Sequence, residues 1–382
     1  MQTSSREIKA LTGLRAIAAF WVLLFHLKSG LIATFPEHAL PLTLLTGAGF
    51  LGVDLFFVLS GFIISYTYAE RFRSFDFAAY CNFLWARLAR IYPVHLFTLM
   101  VFVAFIAVVR TFTDLPAYAV ERYTLGRFLE NLMLVHAWDF PLGKSWNSPA
   151  WSISAEWLAY LLFPLVTAAV AKVRRPLFVL TVMIVLFGLL AVAYSTTGHP
   201  GTASYGLVRL AIEFPAGCLL YQLYRRSFWS RTLWGCTVIA LTLLAVTLLA
   251  LDKHGDLNGM GHELAILVLA PMVFAAVIYA LAWEESAPIS RWLGRPSMLF
   301  WGRASYSLYM VHFVLIAIFT RFLPWTEFAA LDFSARLASL LVLIVAILIA
   351  SAATYRLVEV PSRRWMRRRL SESEPVPALG RG

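Results

Sequence analysis

Long hydrophobic runs, separated by short polar or basic segments, make up most of this chain. A membrane whose hydrocarbon core is about 30 Å thick is crossed by a helix of about 20 apolar residues. Runs of that length predict ten membrane-spanning helices, at about 11–31, 47–69, 93–110, 150–171, 177–194, 204–224, 233–251, 262–282, 298–319 and 335–357. We therefore expect an all-α fold, a polytopic bundle of transmembrane helices.

Composition agrees with this prediction and excludes an ordinary soluble domain. Hydrophobic residues form 60% of the 382 residues and charged residues 14%, whereas soluble domains are about 45–50% apolar. Basic residues fall mostly in the loops on one side of the predicted spans, which explains the net charge of +11 without a nucleic-acid partner. Because loops rich in Lys and Arg stay in the cytoplasm, we expect both termini there.

The segments outside the predicted spans are short. We expect residues 1–362 to form one membrane domain, and residues 363–382 to form a basic and then disordered cytoplasmic tail. Between residues 111 and 149, the apolar piece FLENLMLVHAW is too short to span and predicts a helix lying in the membrane interface. The three cysteines have no metal-ligand spacing, so no metal site is expected.

The first hydrophobic run, LTGLRAIAAFWVLLFHL, carries two ionisable residues, Arg15 and His26. On a helix their spacing brings the second side chain to within about 20° of the direction of the first and about 16 Å further along the axis. Polar groups inside a span are costly unless they meet a partner or a water-filled cavity. This face of the helix therefore predicts a functional interior.

The predicted direction of each span sorts the other polar residues into two layers. The layer near the outer surface contains His26, Asp54, Glu156, Arg209, Glu213 and His312. The layer near the cytoplasm contains Arg15, Arg87, Arg90 and Arg303. Imidazoles beside carboxylates suit acid/base chemistry, and clustered guanidinium groups suit phosphates. The layers predict a phosphate-bearing donor held from inside and proton chemistry near the outer face.

Structural interpretations of these residues stay open at this point. Arg209 and Glu213 are four residues apart, so an ion pair that only stabilises helix packing explains them equally well. His312 can be a core histidine that hydrogen-bonds a neighbouring helix. Arg87 and Arg90 can serve only to anchor a cytoplasmic loop.

Seven motifs follow one another along nearly the whole chain: LRAIAAFWVLLFH, GVDLFFVLSGFIIS, RLARIYP, WSISAEWLAY, RLAIEFPAGCLL, SYSLYMVH and YRLVEVPSRR. In these motifs the chain resembles acyltransferase family 3, integral membrane enzymes that acylate sugars of bacterial glycans and some small molecules. One departure is Trp157, which stands where the family often has a second acidic residue. Many relatives also carry a periplasmic hydrolase-like domain, and without it we expect the membrane domain to complete the transfer.

The resemblance implies transfer of an acyl group, acetyl or succinyl, from acyl-CoA, acetyl-CoA above all, to a glycan or lipid-linked sugar acceptor. The protein would be a multi-pass protein among the lipids of the bacterial inner membrane. It implies His26 as general base, oriented by Asp54 or Glu156, with a covalent acyl-histidine left open. The residues expected to hold the coenzyme are Arg15, Arg87 and Arg90. The residues expected to bind substrate or support the site are Trp151, Ser154, Arg209, Glu213, Tyr309 and His312. Ser154 and Tyr309 are the candidates for stabilising the oxyanion.

Two other functions remain as alternatives. A proton-coupled transporter of an anionic solute would use Asp54, Glu156 and His26 as a proton relay. A structural component of an export complex would tolerate single polar substitutions without a specific loss of function. A fixed tunnel with a basic inner opening favours the enzyme, and alternating access around the site favours the transporter.

Overall fold

Helices account for all the regular structure that the computed structural model describes, which covers residues 7–114, 117–138, 145–173, 175–197, 206–226 and 259–372. No strand occurs within these ranges. The helices are α1 Lys9–His26, α2 Lys28–Thr34, α3 Ala39–Gly47, α4 Gly52–Tyr68, α5 Phe77–Phe112, α6 Ala117–Arg122, α7 Leu125–Leu132, α8 Trp151–Lys172, α9 Pro176–Thr197, α10 Gly206–Arg225, α11 Gly259–Trp283, α12 Pro288–Leu293, α13 Pro296–Phe322, α14 Trp325–Ala330, α15 Phe333–Thr354 and α16 Val360–Glu372. The all-α prediction is confirmed for this part of the chain.

Six segments of the described chain are long and apolar enough to cross a membrane: Lys9–His26, Pro36–Phe72, Phe77–Phe112, Ser148–Lys172, Pro296–Phe322 and Phe333–Arg368. They coincide with six of the ten predicted spans. The predicted spans at 177–194, 204–224 and 262–282 coincide with α9, α10 and α11. The predicted span at 233–251 lies outside the described residues.

The centre of the bundle is formed by α1, α4, α10 and α13. Helices α4 and α10 cross with their backbones in contact, because glycines face each other. A Cβ atom built on Gly61 would lie 2.0 Å from the carbonyl oxygen of Phe214, and one on Gly217 would lie 2.1 Å from that of Val58. Small residues permit such close approach between membrane helices. The crossing brings the polar residues of α4 and α10 together.

Helix α5 has 36 residues and begins at the end of the bundle predicted to be cytoplasmic. At 1.5 Å per residue it is about 54 Å long, well beyond the hydrocarbon thickness. At the same end, α15 continues through a π-helical turn, Tyr355–Glu359, into α16. Nε1–H of Trp85 on α5 donates to the carbonyl of Met366 on α16 at 2.7 Å.

The predicted domain boundary at residue 362 falls within α16, and the division into domains stays a prediction. Residues 363–372 continue the last helix along α5 because their backbone keeps its helical hydrogen bonds through this point. The disordered segment predicted beyond this helix lies outside the described residues.

The outer segment expected to lie in the membrane interface contains a short helix, α7, followed by turns. Leu129 and Met133 are exposed, while Asn131 and Leu134 are buried. Leu134 has a φ of 58°, in the left-handed region that favours glycine. The hydroxyl of Ser154 donates to the carbonyl of Leu134 and stabilises this turn.

Candidate active site

Two histidines from different helices meet at the end of the bundle that is predicted to be the outer one. Nε2 of His312 on α13 lies 3.3 Å from Nδ1 of His26 on α1. The His312 side chain is 1% exposed, whereas His26 is partly buried. Arg15 hydrogen-bonds Ser305, also on α13, so Arg15 and His26 share one face of α1. The structure therefore brings His312 to His26.

Backbone carbonyls determine the tautomers of both rings. Nδ1 of His26 lies 2.9 Å from the carbonyl of Val22, and Nδ1 of His312 lies 3.1 Å from that of Leu308. A carbonyl only accepts hydrogen bonds, so in the neutral rings we assign the proton to Nδ1. The His26 proton is then shared between Val22 and Nε2 of His312. Nε2 of His26 keeps its lone pair and has no hydrogen-bond partner among the described residues.

His26 lies between two cavities. The outer cavity, of about 700 Å³, is lined by His26, Phe105, Ile106, Val109, Thr113, Asp114, Arg122, Tyr123, Phe313, Ile316, Ala317, Thr320, Arg321, Pro324 and Trp325. A smaller cavity of about 80 Å³ is lined by Val22, Phe25, His26, Phe50, Val53, Ser148, Pro149, Trp151, Arg209 and Tyr309. An imidazole in this position can reach ligands on both sides.

A third cavity, of about 50 Å³, lies on the side of Arg15 and contains Glu156. The hydroxyl of Ser60 donates to Glu156 at 2.6 Å, and the Arg15 guanidinium lies 5.6 Å from the ring centre of Phe56. Val53 and Tyr309 line both this inner cavity and the smaller cavity beside His26. The two cavities therefore adjoin, with Arg15 lining one and His26 the other.

Asp54 does not contact His26, which corrects the expectation that Asp54 or Glu156 orients the imidazole. Its carboxylate forms a bidentate ion pair with Arg209, through a hydrogen bond of 2.8 Å from Nε and a second from Nη2. The Asp54 side chain is 0% exposed and that of Arg209 1%. Glu156 accepts from Ser60, and no hydrogen bond joins it to His26. The carboxylates pair with Arg209 and Ser60, whereas a backbone carbonyl and His312 hold the ring.

The ion pair with Glu213, which the sequence left open for Arg209, is not the bidentate pair that the structure shows. The bidentate partner of Arg209 is Asp54, because the close crossing of α4 and α10 brings Asp54 in front of the guanidinium. Trp151 covers the guanidinium from the other side, with 5.5 Å between the ring centre and Cζ. The carboxylate of Glu213 is fully buried and lies close enough to Asp54 and Arg209 for both of their charges to act on it.

With the fold and the geometry in hand, comparison with known proteins identifies the family. The profile of acyltransferase family 3, an acyltransferase domain, matches residues 8–356. The chain belongs to acyltransferase family 3. It is therefore an acyltransferase of groups other than aminoacyl groups and a multi-pass membrane protein. No solved structure matches it.

Three relatives give the family match more detail. Acyltransferase MdmB of Streptomyces mycarofaciens is 25% identical over 97% of this chain and 96% of its own. O-acetyltransferase OatA of Staphylococcus aureus is 22% identical over 82% of this chain and 51% of its own. The putative peptidoglycan O-acetyltransferase YrhL of Bacillus subtilis is 27% identical over 56% and 33%. The chain thus spans nearly all of one relative and about half or less of the other two.

The two residues expected to stabilise the oxyanion of a family 3 reaction are already hydrogen-bonded. The Ser154 hydroxyl donates to the carbonyl of Leu134 at 2.7 Å and accepts from the N–H of Ala137 at 3.1 Å. It stabilises the left-handed turn and has no proton left for a substrate, which corrects that prediction. The Tyr309 hydroxyl donates to the carbonyl of Pro149 at 2.9 Å and lies 2.8 Å from the Ser152 hydroxyl.

At the end predicted to be cytoplasmic, Arg90 pairs with Glu359 rather than standing alone. The Ser307 hydroxyl also donates to Glu359 at 2.7 Å. Arg87 donates to the Tyr68 hydroxyl at 3.1 Å and lies over its ring. Arg303 pairs with Glu7 at 2.8 Å, which removes it from the expected cluster.

Sequence reasoning missed several residues of this site. Ser60 and Glu359 lie in the motifs GVDLFFVLSGFIIS and YRLVEVPSRR, where a polar residue within an apolar run is a signal for an interior contact. The outer-cavity residues Arg122 and Arg321 follow no pattern that distinguishes them from loop residues. Within the described residues, no cluster of three or more His, Cys, Asp or Glu side chains could bind a metal ion.

Proposed function

We propose that this family member transfers an acyl group, acetyl in the simplest case, from acyl-CoA to a hydroxyl of a sugar-bearing acceptor, with His26 as general base. The observation that carries the proposal is the unpaired Nε2 of His26 between two cavities. The ring has a fixed proton on one nitrogen and a lone pair on the other, as a general base requires.

The proposed reaction needs no external acid or base. Nε2 of His26 takes the proton of the acceptor hydroxyl while the hydroxyl oxygen bonds to the thioester carbonyl carbon. When the carbon–sulfur bond breaks, the imidazolium returns this proton to the departing thiolate, giving an ester and free coenzyme A. During the reaction, Nδ1–H donates to the Val22 carbonyl and to Nε2 of His312, which stabilises the imidazolium.

The inner cavities suit the donor. Coenzyme A presents phosphates at one end and a thioester at the end of an extended arm. Arg15 lies in the inner cavity, and Val53 and Tyr309 connect that cavity to the one beside His26. The axial separation of Arg15 and His26, about 16 Å, is within reach of such an arm. This supports donor access from the cytoplasm, with both termini on that side of an inner membrane.

The outer cavity suits the acceptor. Its described lining combines the aromatic rings of Tyr123 and Trp325 with the charged groups of Arg122, Arg321 and Asp114. Aromatic faces pack on sugar rings, and charged groups hydrogen-bond their hydroxyls. Two relatives are named as O-acetyltransferases, one of them putatively acting on peptidoglycan, which supports a glycan or lipid-linked sugar as acceptor.

Mass spectrometry of surface and secreted glycans tests this proposal in cells that lack the gene and carry either the wild-type chain or His26→Gln. We expect the wild type to restore an acyl mass that His26→Gln does not restore. His38→Gln is the matched control, because His38 is exposed and outside the site. Full acylation by a membrane-inserted His26→Gln chain would contradict the proposed base.

The transporter alternative receives no support from the site. A relay through Asp54 would need a carboxylate free to exchange protons, and Asp54 is held in a bidentate ion pair with Arg209. Membership of an acyltransferase family also favours the enzyme.

A further inference from the structure

Four arginines from two helices come together where α16 packs on α5. The two helices are joined by the hydrogen bond from Trp85 to the carbonyl of Met366, 2.7 Å long. Arg363 lies close enough to Arg90, and Arg367 to Arg87, for each to feel the other's charge. This group, the inner arginine cluster, consists of Arg87, Arg90, Arg363 and Arg367.

The inner arginine cluster has more positive than negative charge. Among the described side chains, Glu359 is the one carboxylate that pairs with it, through Arg90. Arg87 donates to a neutral tyrosine hydroxyl, and its Nε is buried without a hydrogen-bond partner. Guanidinium groups held side by side repel one another unless an anion lies between them. The excess charge therefore points to an anionic ligand.

The register of α16 directs two of its arginines toward this cluster. Arg363 and Arg367 are four residues apart and lie on the same face as Met366, whose carbonyl contacts α5. Arg363 is partly buried, whereas Arg367 is exposed, as are Arg364 and Trp365. What sets Arg363 and Arg367 apart is that each lies within reach of the charge of the α5 arginines.

The cluster adjoins the cavity that contains Arg15. Cζ of Arg90 lies 6.0 Å from the ring centre of Tyr306, and Tyr306 lines the inner cavity. A ligand whose anionic groups rest on the cluster can therefore extend an uncharged arm toward Arg15.

We propose that Arg363 and Arg367 of α16 complete, with Arg87 and Arg90, a binding site for the phosphate groups of acyl-CoA. This inference rests on the proposed donor. Coenzyme A carries a diphosphate and a separate phosphate monoester, and forked guanidinium groups bind such oxygens in pairs. Phosphate groups also occur on anionic lipids, so the test separates the two sources.

Binding of acetyl-CoA is measured on the full chain in phosphatidylcholine nanodiscs, by isothermal titration calorimetry. We expect Arg363→Gln and Arg367→Gln each to weaken binding about tenfold, a typical effect of a charge-assisted contact. Arg364→Gln is the matched control, with an expected change below about twofold. S-acetylpantetheine, which has no phosphate, should serve as acyl donor equally well with the wild type and with the variants, because it makes no contact with the cluster.

The possible outcomes are distinct. Wild-type affinity in both variants, alongside tight binding by the wild type, would overturn the inference and leave the proposed function intact. No acetyl-CoA binding by the wild type would overturn both. If the loss in the variants appears only when phosphatidylglycerol is present, the site belongs to lipid headgroups, which also overturns the inference.

Discussion

The bundle contains two buried polar pairs that differ in how completely they are satisfied. Asp54 and Arg209 form a bidentate ion pair between α4 and α10, and both side chains are at most 1% exposed. A hydrogen bond joins His26 to His312 between α1 and α13, and the His26 residue lines cavities on two sides. Both carboxylate oxygens of Asp54 already accept from Arg209, whereas Nε2 of His26 has no hydrogen-bond partner among the described residues.

This difference separates a structural role from a chemical one. A buried carboxylate with a forked partner already has its charge compensated, so its removal should destabilise the fold. A ring nitrogen left with a lone pair in a cavity contributes little to stability and is available for proton transfer. Membrane depth alone does not distinguish the two pairs.

The largest expected effect is on the rate of acyl transfer, and it comes from a substitution that breaks the histidine pair. His26→Ala should lower the rate of acyl transfer about 10³-fold, within the usual range for loss of a general base. Its thermal unfolding in detergent should stay close to that of the wild type, because His26 is only partly buried. Rates from radiolabelled acetyl-CoA and melting curves check both parts. A strongly destabilised His26→Ala chain would place the ring among the structural groups instead.

The next largest effect is on stability, and it comes from a substitution that breaks the ion pair. Arg209→Met leaves the Asp54 carboxylate buried and unpaired, so unfolding should become easier by about 3–5 kcal/mol. The double variant Asp54→Leu with Arg209→Met should recover much of this stability, since neither charge remains. Unfolding in a denaturing detergent measures each variant. Equal stability of wild type and Arg209→Met would contradict the structural role.

A smaller effect on the rate is expected when the second imidazole, that of His312, is removed. His312→Phe deletes the acceptor that shares the His26 proton, while the Val22 carbonyl still orients the ring. The maximal rate should fall about tenfold, equal to about 1.4 kcal/mol for one lost charge-assisted hydrogen bond. The KM for acetyl-CoA should not change, and steady-state kinetics separates the two constants. A raised KM with an unchanged maximal rate would assign His312 to substrate binding.

A third buried histidine, which lies outside the site, should make stability depend on pH. His136 lies in the outer segment, its ring parallel to that of His95 with 5.8 Å between centres. Burial lowers the pKa of His136 to about 3, and the neighbouring His95 adds to this. The folded state therefore binds the proton less readily than the unfolded state, and stability should decrease as pH falls from about 6.5.

At pH 5, which is about 1.5 pH units below the pKa of an unfolded histidine, His136 should lower the free energy of unfolding by about 2 kcal/mol. Melting curves between pH 8 and pH 5 measure it, and His136→Gln should flatten the decrease. An equally steep decrease in His136→Gln would assign the pH dependence to other groups. Unlike His26, His136 lines none of the cavities described above.

Much of the helical framework follows from the sequence alone. Nine of the ten predicted spans coincide with helices in the described residues, because apolar runs of a fixed length are a local property. The shared face of Arg15 and His26 also follows, since both contact α13 and helical periodicity acts within one segment. The seven motifs likewise indicated the family that the profile match confirms.

The partners of these residues were decided by the tertiary structure. Asp54 and Arg209 are 155 positions apart, and only the glycine contact between α4 and α10 brings them together. His26 meets His312 rather than a carboxylate because α1 and α13 run side by side. Depth within a membrane can be calculated from position in a span, but the direction that each helix faces depends on how separate helices cross. Local sequence does not specify the angle at which two helices cross. The sequence therefore determined which residues are polar and buried, and helix packing determined which of them pair.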